Sequence, residues 1–284
     1  MNTSIEQMLA KYQAETIEER KNAVKEITQE IVLCGLSRAG FFDKAAFYGG
    51  SALRIFYGLD RFSEDLDFAL LQPDLGFDLK SFFPMIQKEV NAYGLKFDVE
   101  EKKKSRDFAI RSAFLKGNTR EHLLLFYPRS SDSGIPTNEL IKIKFEIDTD
   151  PPGGASYEHR YSLLPSPYQV NLYDLPSLFA GKIHAVLCRA WRNRVKGRDL
   201  YDYVFYLSRG ADVNLTLLKA KLTESGVVEE GDSLNRDQLR SMLYERFDTI
   251  DYESAKEDVI DFIDDKASLD VWSADFFRQI TGNL

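Results

Sequence analysis

The sequence predicts an α/β protein, with a mixed-sheet domain over residues 1–155 and a mainly helical domain over 156–284. Three observations lead there. Short runs at 45–48, 66–71, 95–99, 108–114 and 141–147 are apolar or alternate as half-buried strands do. Beyond residue 173 the apolar residues recur at helical spacing instead, as in Leu175, Leu178, Phe179, Ile183 and Val186 behind the capping residue Asp174. Between the two regions, Pro151-Pro152-Gly153-Gly154 is a strong break.

Taken in order, residues 4–36 read as helical, with Ile5, Met8, Leu9 and Tyr12, then Val24, Ile27 and Ile31, on one side. The strand at 45–48 runs into Gly49-Gly50-Ser51, and a short helix through Leu53, Ile55 and Phe56 ends at Gly58. The strand at 66–71 stops before Pro73. Leu79, Phe82, Phe83, Ile86 and Val90 mark an amphipathic helix closed by Gly94. Further strands follow, including one near Val170 and Leu172. Later helices begin at Gly197 and carry Leu239 with Leu243, Val259 with Phe262, and Phe276 with Ile280.

Hydrophobic residues make up 44% and charged residues 29% of the 284, the balance of a soluble globular protein. No apolar run approaches the ~20 residues that span a membrane, and the first residues lack the build of a secretory signal. Cys34 and Cys188 stand singly, without disulfide or zinc spacing, which fits buried thiols in a reducing cytoplasm. The net charge of −8 argues against wrapping an extended duplex, because such binding neutralises phosphates. A small nucleotide, or one end of an RNA, suits a local cluster of cations.

Three features on this scaffold carry chemistry. Gly50 and Ser51, at a strand-to-helix turn, let backbone amides approach a phosphate. Asp65 and Asp67 point to one face of their strand, about 7 Å apart, while Leu66 and Phe68 enter the core. Carboxylates so placed repel unless a cation lies between them, and phosphoryl-transfer metal sites are built from such groups. Lys142, Lys144, Glu146 and Asp148 share the polar face of the strand at 141–147, where either Glu146 or Asp148 can supply a third ligand. A solvated, mixed-charge face is the alternative.

In the helical region Lys182 lies beside an inner face, suited to a triphosphate or departing pyrophosphate. Asp199 sits about a quarter-turn off the stripe of Leu200, Tyr203, Val204 and Leu207, by the ~100° step of a helix. That places it at the edge of a cleft, where a catalytic acid can position the lysine, a metal-bound water or the acceptor hydroxyl; its other reading is a structural pair with Arg198 or Lys182. Asp202 faces farther out. Between these helices, Arg189, Arg192, Arg194, Lys196 and Arg198 surround Trp191, a set able to grip RNA phosphates and stack on a base. A solvated basic turn has the same composition. Lys102, Lys103, Lys104 and Arg106 form a weaker basic group.

Gly50-Ser51 followed by Arg61-Phe62-Ser63-Glu64-Asp65-Leu66-Asp67-Phe68 resembles the first motif of the AbiEii/AbiGii toxin family. The likeness continues at Leu178-Phe179-Ala180-Gly181-Lys182-Ile183-His184-Ala185 and at Arg194-Val195-Lys196-Gly197-Arg198-Asp199-Leu200-Tyr201-Asp202, in the family's order. It reaches, more weakly, Asp258-Val259, Phe262, Trp272 and Phe276-Phe277.

The resemblance implies a nucleotidyltransferase-like sheet domain from a bacterial abortive-infection or toxin–antitoxin system. It also implies a nucleoside triphosphate substrate, magnesium, and a cognate antitoxin, often a DNA-binding repressor. Some similar proteins modify the acceptor end of tRNA. The mechanism that follows has Gly50, Ser51 and Lys182 positioning a triphosphate, with Asp65 and Asp67 holding magnesium. Two other functions fit the same residues: a non-catalytic nucleotide- or antitoxin-binding module, and a kinase-type phosphotransferase.

Overall fold

The computed structural model describes residues 3–102, 109–127, 135–189 and 196–284, the side chain of Lys102 excepted. Two helices come first, α1 (Thr3–Leu9) and α2 (Ile17–Arg38). They replace the one continuous helical stretch that the spacing over 4–36 suggests. The chain leaves the helix after Leu9 and restarts behind Thr16, whose hydroxyl accepts from the Glu19 amide while the Glu19 carboxylate accepts from the Thr16 amide.

Next come β1 (Ala45–Tyr48), α3 (Gly49–Tyr57), β2 (Asp65–Leu70), α4 (Phe83–Ala92), β3 (Asp98–Lys102) and β4 (Ile110–Asn118). They are followed by α5 (Thr119–Phe126), β5 (Leu140–Asp148), β6 (Tyr157–Ser162) and β7 (Tyr168–Tyr173). The remainder is helical: α6 (Leu175–Cys188), α7 (Gly197–Ser208), α8 (Leu215–Glu224), α9 (Arg236–Phe247), α10 (Tyr252–Val259) and α11 (Ala274–Thr281).

The strands form one mixed seven-stranded sheet, in the order β3-β4-β5-β2-β1-β7-β6. β2 runs antiparallel to β1 and parallel to β5, so the much later strand β5 meets the first two strands at the centre of the sheet. Leu66, Phe68, Phe145 and Ile147 fill the apolar face there, all buried. Phe68 stacks on Phe145 at 4.6 Å and on Phe47 at 5.1 Å, and Phe41 meets it edge-on at 5.0 Å. This aromatic layer fixes which residues of β2 and β5 turn inward, and by alternation which turn out.

The chain divides into two compact units that do not follow chain order. One comprises residues 1–52, 63–151 and 159–172; the other comprises 53–62, 152–158 and 173–284. β7 pairs with β1, and residues 159–172 fall with the sheet unit.

In the helical unit Asp174 caps α6 as expected, its carboxylate accepting from the Ser177 amide at 2.9 Å. Phe179 of α6 stacks on Tyr206 of α7 at 4.6 Å, and the buried Tyr203 shares a 2.7 Å hydrogen bond with Thr281 of α11. Gly197, the first residue of α7, lies so close to α10 that a Cβ there would come within 1.7 Å of the Ala255 carbonyl oxygen. Gly197→Ala is therefore expected to force the two helices apart, at a cost of about 1–3 kcal/mol or more. Chemical denaturation measures that loss, and wild-type stability in the variant would contradict the packing. Among the described residues no helix is long and apolar enough to cross a membrane.

Candidate functional site

The sheet unit assembles the first group of residues. Asp65 and Asp67 are half-exposed on one face of β2, while Leu66 and Phe68 are buried on the other, as the alternation predicts. Parallel pairing sets Asp65 opposite Lys144 and Asp67 opposite Glu146. Asp148 falls opposite Ala69, one row farther along, and its Oδ1 accepts from the Asp150 amide at 3.1 Å. The register thus brings Glu146, rather than Asp148, beside the Asp65–Asp67 pair.

Glu146 is held at both oxygens. Ser112 of β4, its cross-strand partner, donates to Oε1 at 2.9 Å, and Lys144 Nζ lies 2.6 Å from Oε2. Burial alone would lower the pKa of the Lys144 ammonium, but Glu146, with Asp65 and Asp67, outweighs it and holds the group above its ordinary value. The acidic face therefore carries its own cation.

The turn that opens α3 abuts this row. Gly49 has φ +81°, and a Cβ there would come within 2.6 Å of the Asp67 Oδ2, so glycine serves both the backbone and the close carboxylate. Ser51 is buried, and its hydroxyl donates to the Asp65 main-chain carbonyl. Ser51 thereby ties the start of α3 to the start of β2, while the amides of the first helical turn keep the character that favours anions. From the other side, the buried Gln29 of α2 donates to the carbonyls of Ser63 at 3.0 Å and Glu64 at 2.9 Å. Lys25 adds a 3.2 Å pair to Glu64. The segment leading to Asp65 is thus braced by the helix beside it.

Oxygen donors of this kind suit magnesium, a hard cation that takes one or two carboxylates together with substrate phosphates. Among the described residues no three acidic or imidazole or thiol side chains already form a metal cage. The chemistry of the donor set and the ammonium standing among the acids both fit a cation at this place.

A second charged group lies in the helical unit. Lys182 of α6 is 2.7 Å from Asp199 and 2.8 Å from Asp202, both on α7. Arg61 forks onto both oxygens of Asp202 at 2.6 Å, and Arg189 reaches the other oxygen of Asp199 at 3.1 Å. Asp202 is fully buried, contrary to the outward position its place on the helix suggests, because two cations neutralise it. Burial would raise its carboxyl, yet Arg61 and then Lys182 hold it below the usual range. The ammonium of Lys182 is likewise kept above its ordinary value by Asp199 and Asp202 despite burial.

Of the basic stretch, Arg189 pairs with Asp199, and Lys196 precedes α7, the pKa of its ammonium lowered by burial and by neighbouring Arg189. Trp191, Arg192 and Arg194 lie outside the described residues, as do Lys103, Lys104 and Arg106. Reasoning from sequence places Lys144 on the polar face of β5, and Arg61 and Asp202 within the family-like motifs, but assigns none of the three a role, and it misses Gln29.

Among curated proteins no sequence matches the chain. A crystal structure of an H. pylori protein provisionally assigned as a nucleotidyltransferase is 17% identical, covering 90% of this chain and 88% of that one, with a TM-score of 0.48. JHP933 from Helicobacter pylori is also 17% identical, over 91% and 86% of the two chains, with a TM-score of 0.46. Likeness at that level says nothing of chemistry. Residues 31–279, however, match the profile of the family described as nucleotidyl transferase AbiEii toxin, type IV toxin–antitoxin system. With that match running across most of its length, the chain belongs to the AbiEii nucleotidyltransferase toxin family.

Proposed function

We propose that the chain transfers a nucleotide from a nucleoside triphosphate to an acceptor hydroxyl, by in-line attack on the α-phosphorus with loss of pyrophosphate. The observation that carries this reading is the row of Asp65, Asp67 and Glu146 on two adjacent strands, against the Gly49 turn that opens α3. Magnesium would be held by Asp65 and Asp67 with Glu146 as third acid, neutralising phosphate charge and activating the acceptor hydroxyl. Amides of Gly50 and Ser51 receive phosphate oxygens. Ser51 keeps that turn fixed to the acidic strand through its bond to Asp65. Gln29 holds the preceding backbone, so the carboxylates meet the substrate without rearranging.

In this reading the acceptor is an RNA, such as a tRNA 3′ end, in the cytoplasm, and a cognate antitoxin, such as a DNA-binding repressor, restrains the damage. Arg189 and Lys196, with Arg192 and Arg194, are the proposed acceptor-binding cations. Incubation with total RNA and each α-labelled triphosphate tests the proposal. Label in RNA is expected. Arg192→Ala or Arg194→Ala, by removing one cation from a phosphate, should flatten the salt dependence of RNA binding by about one in slope. Transfer of γ- rather than α-label would mean a kinase-type reaction, and binding without any transfer would leave only a nucleotide-binding module.

Lys182 and Asp199 belong to the proposed catalytic set through their family-like context. Their ion pairs also fasten α6 to α7, and one variant separates the two roles. Asp199→Asn keeps the shape and removes the charge. A catalytic role predicts that kcat falls by about a hundredfold, the scale seen when one group stabilising transition-state charge is removed, with a modest change in Tm. Normal turnover per folded molecule together with a clear drop in Tm would make the pair structural.

A further inference from the structure

We propose that Lys144 is a built-in counterion that holds the acidic row together until a divalent cation displaces it, so that metal loading is an exchange of one cation for another. The inference rests on the metal-holding role proposed above for Asp65, Asp67 and Glu146. Lys144 shares their sheet face, opposite Asp65 and two residues before Glu146. Its ammonium occupies Glu146 Oε2 at 2.6 Å, while Ser112 holds Oε1 at 2.9 Å.

A divalent ion that took the same oxygen would stand in contact with a like charge, which a half-buried site screens poorly. The lysine must therefore leave as the metal arrives. Its stem is flexible and the side chain is 34% exposed, so it can withdraw without moving the strand. Ser112 can remain, keeping the Glu146 carboxylate aimed. A metal–triphosphate complex brings both the displacing cation and phosphate oxygens for the released ammonium. The site accordingly favours metal delivered with nucleotide over the free ion.

The test is binding of Mn2+ to the nucleotide-free full chain, read from the EPR signal of the unbound ion. Lys144→Met is expected to bind Mn2+ about tenfold more tightly than wild type, the effect of removing a like charge at contact range. Lys144→Arg keeps the charge and is expected to stay within about twofold of wild type. Should Lys144→Met not fold, Lys144→Gln carries the same expectation. Asp67→Asn, made in both backgrounds, separates the counterion role from the metal site itself. If Mn2+ binding depends on Asp67 but is unchanged or weaker without the lysine charge, the counterion role is overturned alone. If binding ignores Asp67 in both backgrounds, the metal site is overturned and the counterion role with it.

Discussion

Asp67→Ala is expected to lower nucleotide transfer by about a thousandfold or more, the scale of several kcal/mol of charge stabilisation removed from the transition state. The fold should survive. Asp67 is half-exposed, its strand neighbours Leu66 and Phe68 keep the core filled, and removing one of several adjacent carboxylates relieves repulsion. A steady-state assay with α-labelled triphosphate and a melting curve make the comparison. Stability should stay within about 1 kcal/mol of wild type. Retained transfer in a folded Asp67→Ala would remove the acidic row from the mechanism, whatever its effect on Tm.

The largest expected loss of stability comes from the helical unit. Arg61→Met strips the fully buried Asp202 of its bidentate partner and leaves it to Lys182, which it shares with Asp199. Breaking a buried pair at one end costs about 3–5 kcal/mol, because the remaining charge stays out of water. Arg61→Met with Asp202→Leu removes both ends and should recover much of that loss. Urea denaturation of the two singles and the double completes a cycle. Purely additive losses would show that Arg61 and Asp202 contribute separately rather than as a pair.

The local part of both groups is legible in the sequence. Alternation alone puts Asp65 and Asp67 on one face, since burial of Leu66 and Phe68 requires it. Choosing Glu146 over Asp148 needs the register between strands some 80 positions apart, as in Asp67↔Glu146, which no local pattern contains. Without that pairing, Lys144 looks like part of an ordinary charged face. A helical wheel turns Asp202 outward because it weighs only apolar neighbours; the partner Arg61 lies 141 residues earlier. β6 gives no strand signal because it is mostly exposed and lacks alternation. The break between α1 and α2 is encoded by Thr16 and Glu19 but hidden by helical spacing on both sides.

The brace that α2 supplies to the backbone before Asp65 sets a limit on shortening this protein. Gln29 and Lys25, which hold Ser63 and Glu64, both precede residue 31, where the family match begins. A chain trimmed to the matched region would keep Asp65, Asp67 and Glu146 and yet lose the scaffold beneath one of them, along with the buried Val24 and Ile27. Minimal catalytic fragments designed from homology alone would therefore start too late, and their silence in an assay would report a missing buttress rather than missing chemistry.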